Sequence, residues 1–258
     1  MRVRARAGAV LLVVLGLTAA LVGVGAPATS SGDVGGSTLQ PDPLVAAVPD
    51  AARPVALVPA GPVRPTVIVA LHGYTSTPDQ LRARLRTDAW VEELGATVVY
   101  PRGLGRRPSW NAGDCCGSAA RSGIDDVGYL ARLIGSLRAR GAERVVLVGY
   151  SNGGMLAYRM ACERPDLVSQ IAVINASITV PTCDGAFSAL HLAGEVDPAV
   201  PVQGVTRVDY LFTGFRPLVD LPALAPHATL DVRVLPGVGH EIAPLDHDLI
   251  TEWIRSSG

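Results

Sequence analysis

RVVLVGYSNGGM, residues 144–155, holds the transition on which the reading of the whole chain turns. Val145 to Val148 is an unbroken β-branched and leucine run of the kind buried on both faces of a parallel sheet. It breaks at once into Gly149-Tyr150-Ser151-Asn152-Gly153-Gly154, and residues 155–163 suit a helix. Glycines flanking a serine let the backbone turn sharply from strand to helix and leave the hydroxyl standing at the sheet edge. Ser151 is therefore the candidate nucleophile. A tight strand-to-helix connection without chemistry is the plainer reading, so the remaining residues must decide between the two.

Working outward, strands are expected at residues 53–58, 66–71, 97–100, 170–175, 189–193 and 230–235. Helices are expected at 79–94, 125–140 and 245–255, with a short one near 205–212. The 125–140 segment is amphipathic, with Val127, Leu130, Leu133, Ile134 and Leu137 on one face, Asp125 and Asp126 in its first turn and Arg138 and Arg140 in its last. Alternating buried-type strands and helices imply an α/β fold with a mostly parallel central sheet and helices on both faces. In such sheets the chemistry gathers at the carboxyl ends of the strands. The stretch 101–122 is long, polar and glycine-rich, and a connection of that kind inside a compact domain is usually functional.

The chain has 258 residues and a net charge of −1, so it offers no basic field to gather nucleic acid or an anionic membrane. Residues 1–28 read as a signal peptide: Arg2, Arg4 and Arg6 precede an apolar run, and Ala26-Pro27-Ala28 supplies small residues for cleavage. The run is long enough that an uncleaved membrane anchor is the alternative. Residues 29–52 read as a flexible leader and 53–258 as one catalytic domain. After cleavage the protein is expected to be secreted, monomeric and without a stable membrane partner.

An exported chain with four cysteines, Cys115, Cys116, Cys162 and Cys183, is expected to form disulfides. A Cys115–Cys116 bridge would strain the peptide between them, so each is expected to join one of Cys162 and Cys183. No metal-ligand spacing is present, and neither a metal nor a cofactor is implied.

A serine hydroxyl needs a base to take its proton, and the base needs a carboxylate to fix its tautomer and balance its charge. Ser151, Asp197 and His240 occur in the order nucleophile, acid, base, each at a predicted strand end. Of the other histidines, His191 lies in an apolar strand, His72 in a strand-end loop, and His227 and His247 read as surface residues. Glu195 would point away from the base if the strand pattern persists, and Asp184 and Asp209 are weaker choices for the acid. The developing negative charge on a carbonyl oxygen needs donors already aimed at it. The backbone N–H of Asn152, at a helix start, and that of Tyr74, ahead of Thr75, are the candidates.

The chain resembles secreted α/β-hydrolases of the polyhydroxybutyrate depolymerase and feruloyl esterase-like group. The resemblance rests on Leu71-His72-Gly73-Tyr74, on Trp110-Asn111-Ala112-Gly113-Asp114-Cys115-Cys116-Gly117, on the Ser151 motif, on residues 194–201 and on Gly239-His240. It implies serine esterase activity through an acyl-enzyme, with feruloyl or acetyl esters of polysaccharides, or hydroxyalkanoate oligoesters, as substrates. Its triad falls on Ser151, Asp197 and His240. The group usually carries an aromatic residue soon after the histidine, whereas this chain has Glu241-Ile242-Ala243-Pro244, a departure that bears on specificity. Trp110 and Asn111 are expected to bind substrate, Trp110 as a flat apolar surface on a disulfide-anchored rim, although packing beneath the loop is the other use of such an indole. A serine peptidase on the same fold and a non-catalytic envelope binding protein are the competing functions.

Overall fold

A computed structural model describes residues 62–205 and 214–257. The signal segment, the leader, the strand expected at 53–58 and nearly all of the short helix expected at 205–212 lie outside them.

Among the described residues, six parallel strands form one sheet: β1 (Thr66–Leu71), β2 (Thr97–Val99), β3 (Arg144–Tyr150), β4 (Gln170–Ile174), β5 (Ser188–Gly194) and β6 (Thr229–Leu235). Their spatial order is β2-β1-β3-β4-β5-β6, with parallel pairing throughout. The chain thus moves to one edge with β2 and returns to the other side of β1 with β3. This reversal separates the loops after β1 and β3, which opens a crevice at their carboxyl ends.

Side chains of each strand alternate between two apolar layers. Val67, Val69 and Leu71 of β1 and Val145 and Leu147 of β3 face one layer; Ile68, Ala70, Val146 and Val148 face the other. The first layer is completed by α4 (Asp126–Ala139) and α5 (Asn152–Glu163). The second holds α1 (Pro78–Leu85), α2 (Trp90–Glu93) and α7 (Asp246–Ser256). Two shorter helices, α3 (Gly117–Arg121) and α6 (Leu221–Leu224), lie in connections.

The helix expected over 79–94 is divided. Thr77 caps α1 by accepting from the Gln80 N–H, and Gln80 returns the bond to the Thr77 N–H. At Arg86 the backbone enters the left-handed region, φ 52°, and a 3-10 turn over Thr87–Ala89 precedes α2. Thr87 is buried there, its hydroxyl 2.7 Å from that of Tyr100, a tertiary bond that a continuous helix would not place. Trp90 then anchors α2 by donating from its indole N–H to Thr251 of α7 at 2.7 Å. His247 is not a surface residue: it is buried, stacks on Trp90 and has its ring nitrogens 3.0 Å from the Leu85 carbonyl and 3.0 Å from Glu93. The 3.6-residue pattern of α7 was visible, but the partner that covers His247 comes from residues far away in sequence.

The disulfide pairing also differs from expectation. Cys162 pairs with Cys183, with Cα atoms 4.6 Å apart, and Cys115 pairs with its neighbour Cys116. The reason lies in α5. Cys116 Sγ sits 3.9 Å from Met155 Sδ, in the first turn, whereas Cys162 lies seven residues on, about 10 Å along the axis. Both loop cysteines are therefore held at the far end of the helix from Cys162.

The Cys162–Cys183 bridge closes a loop of 21 residues, which restricts the unfolded chain by about 3 kcal/mol, whereas the Cys115–Cys116 bridge closes no loop of chain. Replacing Cys162 and Cys183 together by alanine is expected to lower Tm by roughly 6–12 °C. The same exchange at Cys115 and Cys116 is expected to lower it by much less. Thermal unfolding of the two double variants followed by circular dichroism checks this.

Candidate active site

Ser151 sits between the last residue of β3 and the first of α5, at φ 52° and ψ −122°. A non-glycine residue there is strained, and it persists only where the surroundings fix it. They do so by close approach. A Cβ on Gly149 would lie 2.5 Å from the Gly153 carbonyl, and one on Gly153 would meet the Leu71 carbonyl and lie 2.6 Å from that of His72. The two glycines thus let the turn fold onto itself and onto the end of β1. The Ser151 N–H donates to Ile174 at 2.8 Å and its carbonyl accepts from Met155 at 3.0 Å.

His240 Nε2 is 2.9 Å from Ser151 Oγ, and His240 Nδ1 is 2.7 Å from Asp197 Oδ2. The side chain of Asp197 is wholly buried, while that of His240 is 22% exposed and lines the cleft with Ser151. Burial acts to raise the Asp197 pKa. The bond with His240 and those from the Val200 and Ala199 amides, at 2.9 and 2.7 Å, act the other way and hold the carboxyl below its ordinary range. An ionised Asp197 accepts the Nδ1 proton and leaves Nε2 as the atom facing the serine. Glu195 is turned away and accepts instead from the Gly237 N–H at 3.0 Å. Asp184 is exposed, and Asp209 lies outside the described residues.

His72, His191 and His247 bond elsewhere, and His227 is exposed. His191 is buried, 2.8 Å from the Tyr158 hydroxyl, and burial lowers its pKa to about 4. His72 is wholly buried, with Nδ1 2.8 Å from the Gly73 carbonyl and Nε2 accepting from the Gly103 N–H at 3.0 Å; burial chiefly brings its pKa to about 4. A neutral His72 with its proton on Nδ1 satisfies both bonds.

Tyr74 and Asn152 border the serine from the two loops of the crevice. Asn152 is the first residue of α5, where backbone N–H groups lack intrahelical acceptors. Of the amides after β1, that of Thr75 is committed to the Pro108 carbonyl at 2.8 Å, which favours Tyr74 as the second donor. The cleft beside them, about 410 Å³, is lined by Tyr74, Met155, Val200 and Phe215 among apolar side chains and by Ser76, Gln80 and Arg84 among polar ones.

Trp110 and Asn111 do not face this cleft. Trp110 is wholly buried and donates from its indole N–H to the His72 carbonyl at 2.9 Å. Its backbone N–H and carbonyl are both bonded to the Asn152 side chain, at 2.8 and 3.0 Å. Asn111 donates from its side chain to Ile124 at 2.8 Å and accepts from Gly113 at 3.2 Å. The expectation that these two bind substrate is therefore replaced: the indole fills the space between the loops after β1 and β3, and its one polar atom is spent on the backbone that carries Tyr74.

Asn175 was read only as a strand end, yet it ties the acid strand to the histidine loop. It lies at φ 49°, accepts from the Gly194 N–H at 2.7 Å and donates to the Gly239 and Glu241 carbonyls at 3.1 and 2.8 Å. The available signal was an asparagine directly after an apolar run, since this residue tolerates left-handed backbone. Tyr150 adds a bond of 2.8 Å from its hydroxyl to the His240 carbonyl. Beyond the histidine, the Ala243 N–H donates to Asp246 Oδ2 at 2.7 Å, while Asp246 Oδ1 is buried without a partner among the described residues.

No family model matches the chain. Among curated proteins it is 25% identical over 162 residues to NocK of Nocardia uniformis subsp. tsuyamanensis, named as a putative esterase, covering 57% of this chain and 44% of that protein. It is 27% identical over 106 residues to feruloyl esterase B of Neurospora crassa, covering 40% and 36%. The chain thus spans less than half the length of these relatives. Among solved structures, a Bacillus cereus carboxylesterase superposes with a TM-score of 0.60 at 17% identity, covering 81% of this chain and 96% of that one. A Mesorhizobium loti carboxylesterase gives 0.56 at 22% identity, covering 75% and 90%. The fold is that of the α/β-hydrolases.

Asn175→Ala removes the acceptor of a buried N–H and two donors to the histidine loop. It is expected to cost about 2–3 kcal/mol of stability, read by denaturant unfolding. For Asp246, burial is the main cause that pushes the carboxyl up to about 6; the Ala243 bond opposes it and the charge of Glu241 adds to it. The native state then holds a proton that the unfolded chain releases near pH 4, so stability from this group falls as pH rises from about 4 to about 6. Asp246→Asn, which cannot ionise, is expected to gain about 1–2 kcal/mol relative to the parent between pH 5 and pH 8, measured by denaturant unfolding at each pH.

Proposed function

We propose that the protein is an exported serine esterase that hydrolyses carboxylic esters through an acyl-enzyme. The observation that carries this reading is the continuous set of bonds from Asp197 to His240 to Ser151 beside a cleft of about 410 Å³, a size that suits a short ester. Names of the relatives agree with ester chemistry, and the paired cysteines suit an oxidising compartment.

Ser151 Oγ attacks the ester carbonyl carbon as His240 Nε2 takes its proton. The carbonyl oxygen becomes an oxyanion facing the Tyr74 and Asn152 amides, and the imidazolium is balanced by Asp197. Collapse breaks the bond to the alcohol, which leaves with the proton from His240 and gives the acyl-serine. Water then gives its proton to His240 and attacks the acyl carbon, and the acid departs as Ser151 regains its hydrogen. Short or soluble substrates suit the cleft: feruloyl or acetyl esters on polysaccharide, or hydroxyalkanoate oligoesters.

Ser151→Ala and His240→Ala are each expected to lower kcat on 4-nitrophenyl butyrate by about 10⁴ or more, and Asp197→Asn by about 10³–10⁴. A fluorophosphonate probe should label Ser151 in the folded protein and fail on Ser151→Ala. Methyl ferulate and a soluble hydroxybutyrate oligomer, assayed alongside, separate the acyl classes. Unlabelled Ser151 together with no turnover of any of these esters would refute the proposal.

A further inference from the structure

The sheet ends on two unlike strands. At one edge β2 is three residues long and all of them are buried. At the other edge β6 runs for seven residues, contains neither proline nor glycine, and has no strand on its outer side among the described residues. A long, regular, open edge is a template for pairing with another chain, and folded proteins ordinarily blunt such an edge by shortening, bulging or charging it. Which backbone groups β6 presents there follows from its bonds to the β5 side. The Thr229 N–H donates to the Phe187 carbonyl at 2.8 Å, and the Leu235 carbonyl accepts from the Glu195 N–H at 3.0 Å, so the odd-numbered residues bond inward. Because successive residues of a strand turn their N–H and C=O groups to opposite sides, Leu230, Val232 and Val234 direct theirs outward.

The side chains indicate which chain fits. Val232 and Val234, 39% and 45% exposed, share one face of β6 with Leu230, whereas Asp231 and Arg233 lie on the other face and pair with each other at 2.7 Å. We propose that a second copy of this chain docks its β6 antiparallel to this one, about a two-fold axis through Val232. In that register Val232 faces its own counterpart and Leu230 faces the partner's Val234, and these are the residues whose backbone groups point outward, so each pair exchanges N–H···O bonds. Asp231 then lies opposite the partner's Arg233, and Arg233 opposite the partner's Asp231, so every charge has neighbours of opposite sign both along and across the strands. An axis one residue away, on Asp231 or on Arg233, would set like charges face to face. The contact is isologous and closes at two copies rather than extending into a fibre. Antiparallel pairing also directs the carboxyl ends of the two sheets oppositely, so the two clefts open at opposite ends of the joined sheet. The proposal does not depend on ester hydrolysis, and it differs from the monomer expected from sequence, where β6 reads as one more strand with nothing to mark it as an edge.

Sedimentation velocity of the purified chain is expected to show a species of twice the chain mass that dissociates on dilution. Val232→Pro removes an N–H that faces outward, so β6 keeps its bonds to β5; it should raise the dimer dissociation constant about tenfold or more while far-UV circular dichroism stays unchanged. Charge exchanges test the register. Asp231→Arg and Arg233→Asp should each weaken self-association, because each places like charges opposite one another across the axis. Mixed together, the two variants should form a heterodimer, since every arginine of one then faces an aspartate of the other, a rescue that a merely structural role for these side chains would not give. A dimer indifferent to Val232→Pro, or charge variants that fail to pair when mixed, would overturn the proposal. A parent chain that stays monomeric up to about 100 μM would overturn it as well, and slow hydrogen exchange at its Val232 amide would then place a segment of the same chain on the edge.

Discussion

The contact on which the rest of the structure depends is that between the turn after β3 and the end of β1. Gly153 of the turn lies against the Leu71 and His72 carbonyls so closely that a single added carbon would displace backbone, and Gly149 faces Gly153 within the turn in the same way. Backbone cannot give as a flexible side chain can, so this contact fixes the height and direction of both loops at once. It also explains why Ser151 keeps a backbone conformation that costs on the order of 1–3 kcal/mol. The strain is spread over a packed sheet and helix whose other contacts are favourable, and the hydroxyl is left at the one place that the strand order opens.

A buried carboxylate next to an imidazole raises the opposite problem, since removing charge from water is costly unless the charge is bonded. Asp197 meets it with three bonds, one of them from His240 and two from backbone amides of its own loop. The imidazole in turn is held by backbone rather than by its ring alone, because Tyr150 and Asn175 bond to carbonyls within residues 239–241. These ties come from β3 and from the end of β4. The imidazole is thereby referenced to the strand that ends at Ser151, and the distance from Nε2 to Oγ becomes a property of the sheet.

Much of this could be read from sequence because it is local. The buried strands, the elbow and the strand-end positions of Ser151, Asp197 and His240 are each encoded in a few consecutive residues whose pattern has a physical cause. What could not be read depends on neighbours distant in the chain. Trp110 offers the same letters whether its indole faces a ligand or the His72 carbonyl, and only the fold brings that carbonyl within 2.9 Å. The reading of His247 as a surface residue failed because Leu85, Trp90 and Glu93 supply its environment. The cysteine pairing departs from expectation for a related reason: peptide strain is local, whereas the length of α5 between Met155 and Cys162 acts only once the loop is docked at one end of that helix. Asn175 escaped notice because a strand-end asparagine carries no visible partner until β5 and the histidine loop converge on it.

The block from Trp110 to Gly117 consequently takes a different physical role from a substrate rim. Its indole N–H holds the His72 carbonyl, the N–H and carbonyl of Trp110 are both bonded to the Asn152 side chain, and a Cβ on Gly117 would fall 2.6 Å from the ring of Tyr74. All three contacts converge on the two loops whose amides border the serine. An oxyanion site works to the extent that its donors are already in place when charge develops, because reorienting dipoles during the reaction would consume the energy they return. Backbone amides have no side chain of their own to position them, so something else must supply rigidity. Here a buried tryptophan and a doubly bonded asparagine clamp the loop after β1 to the start of α5, and the cysteine pair beside Met155 fills the remaining gap.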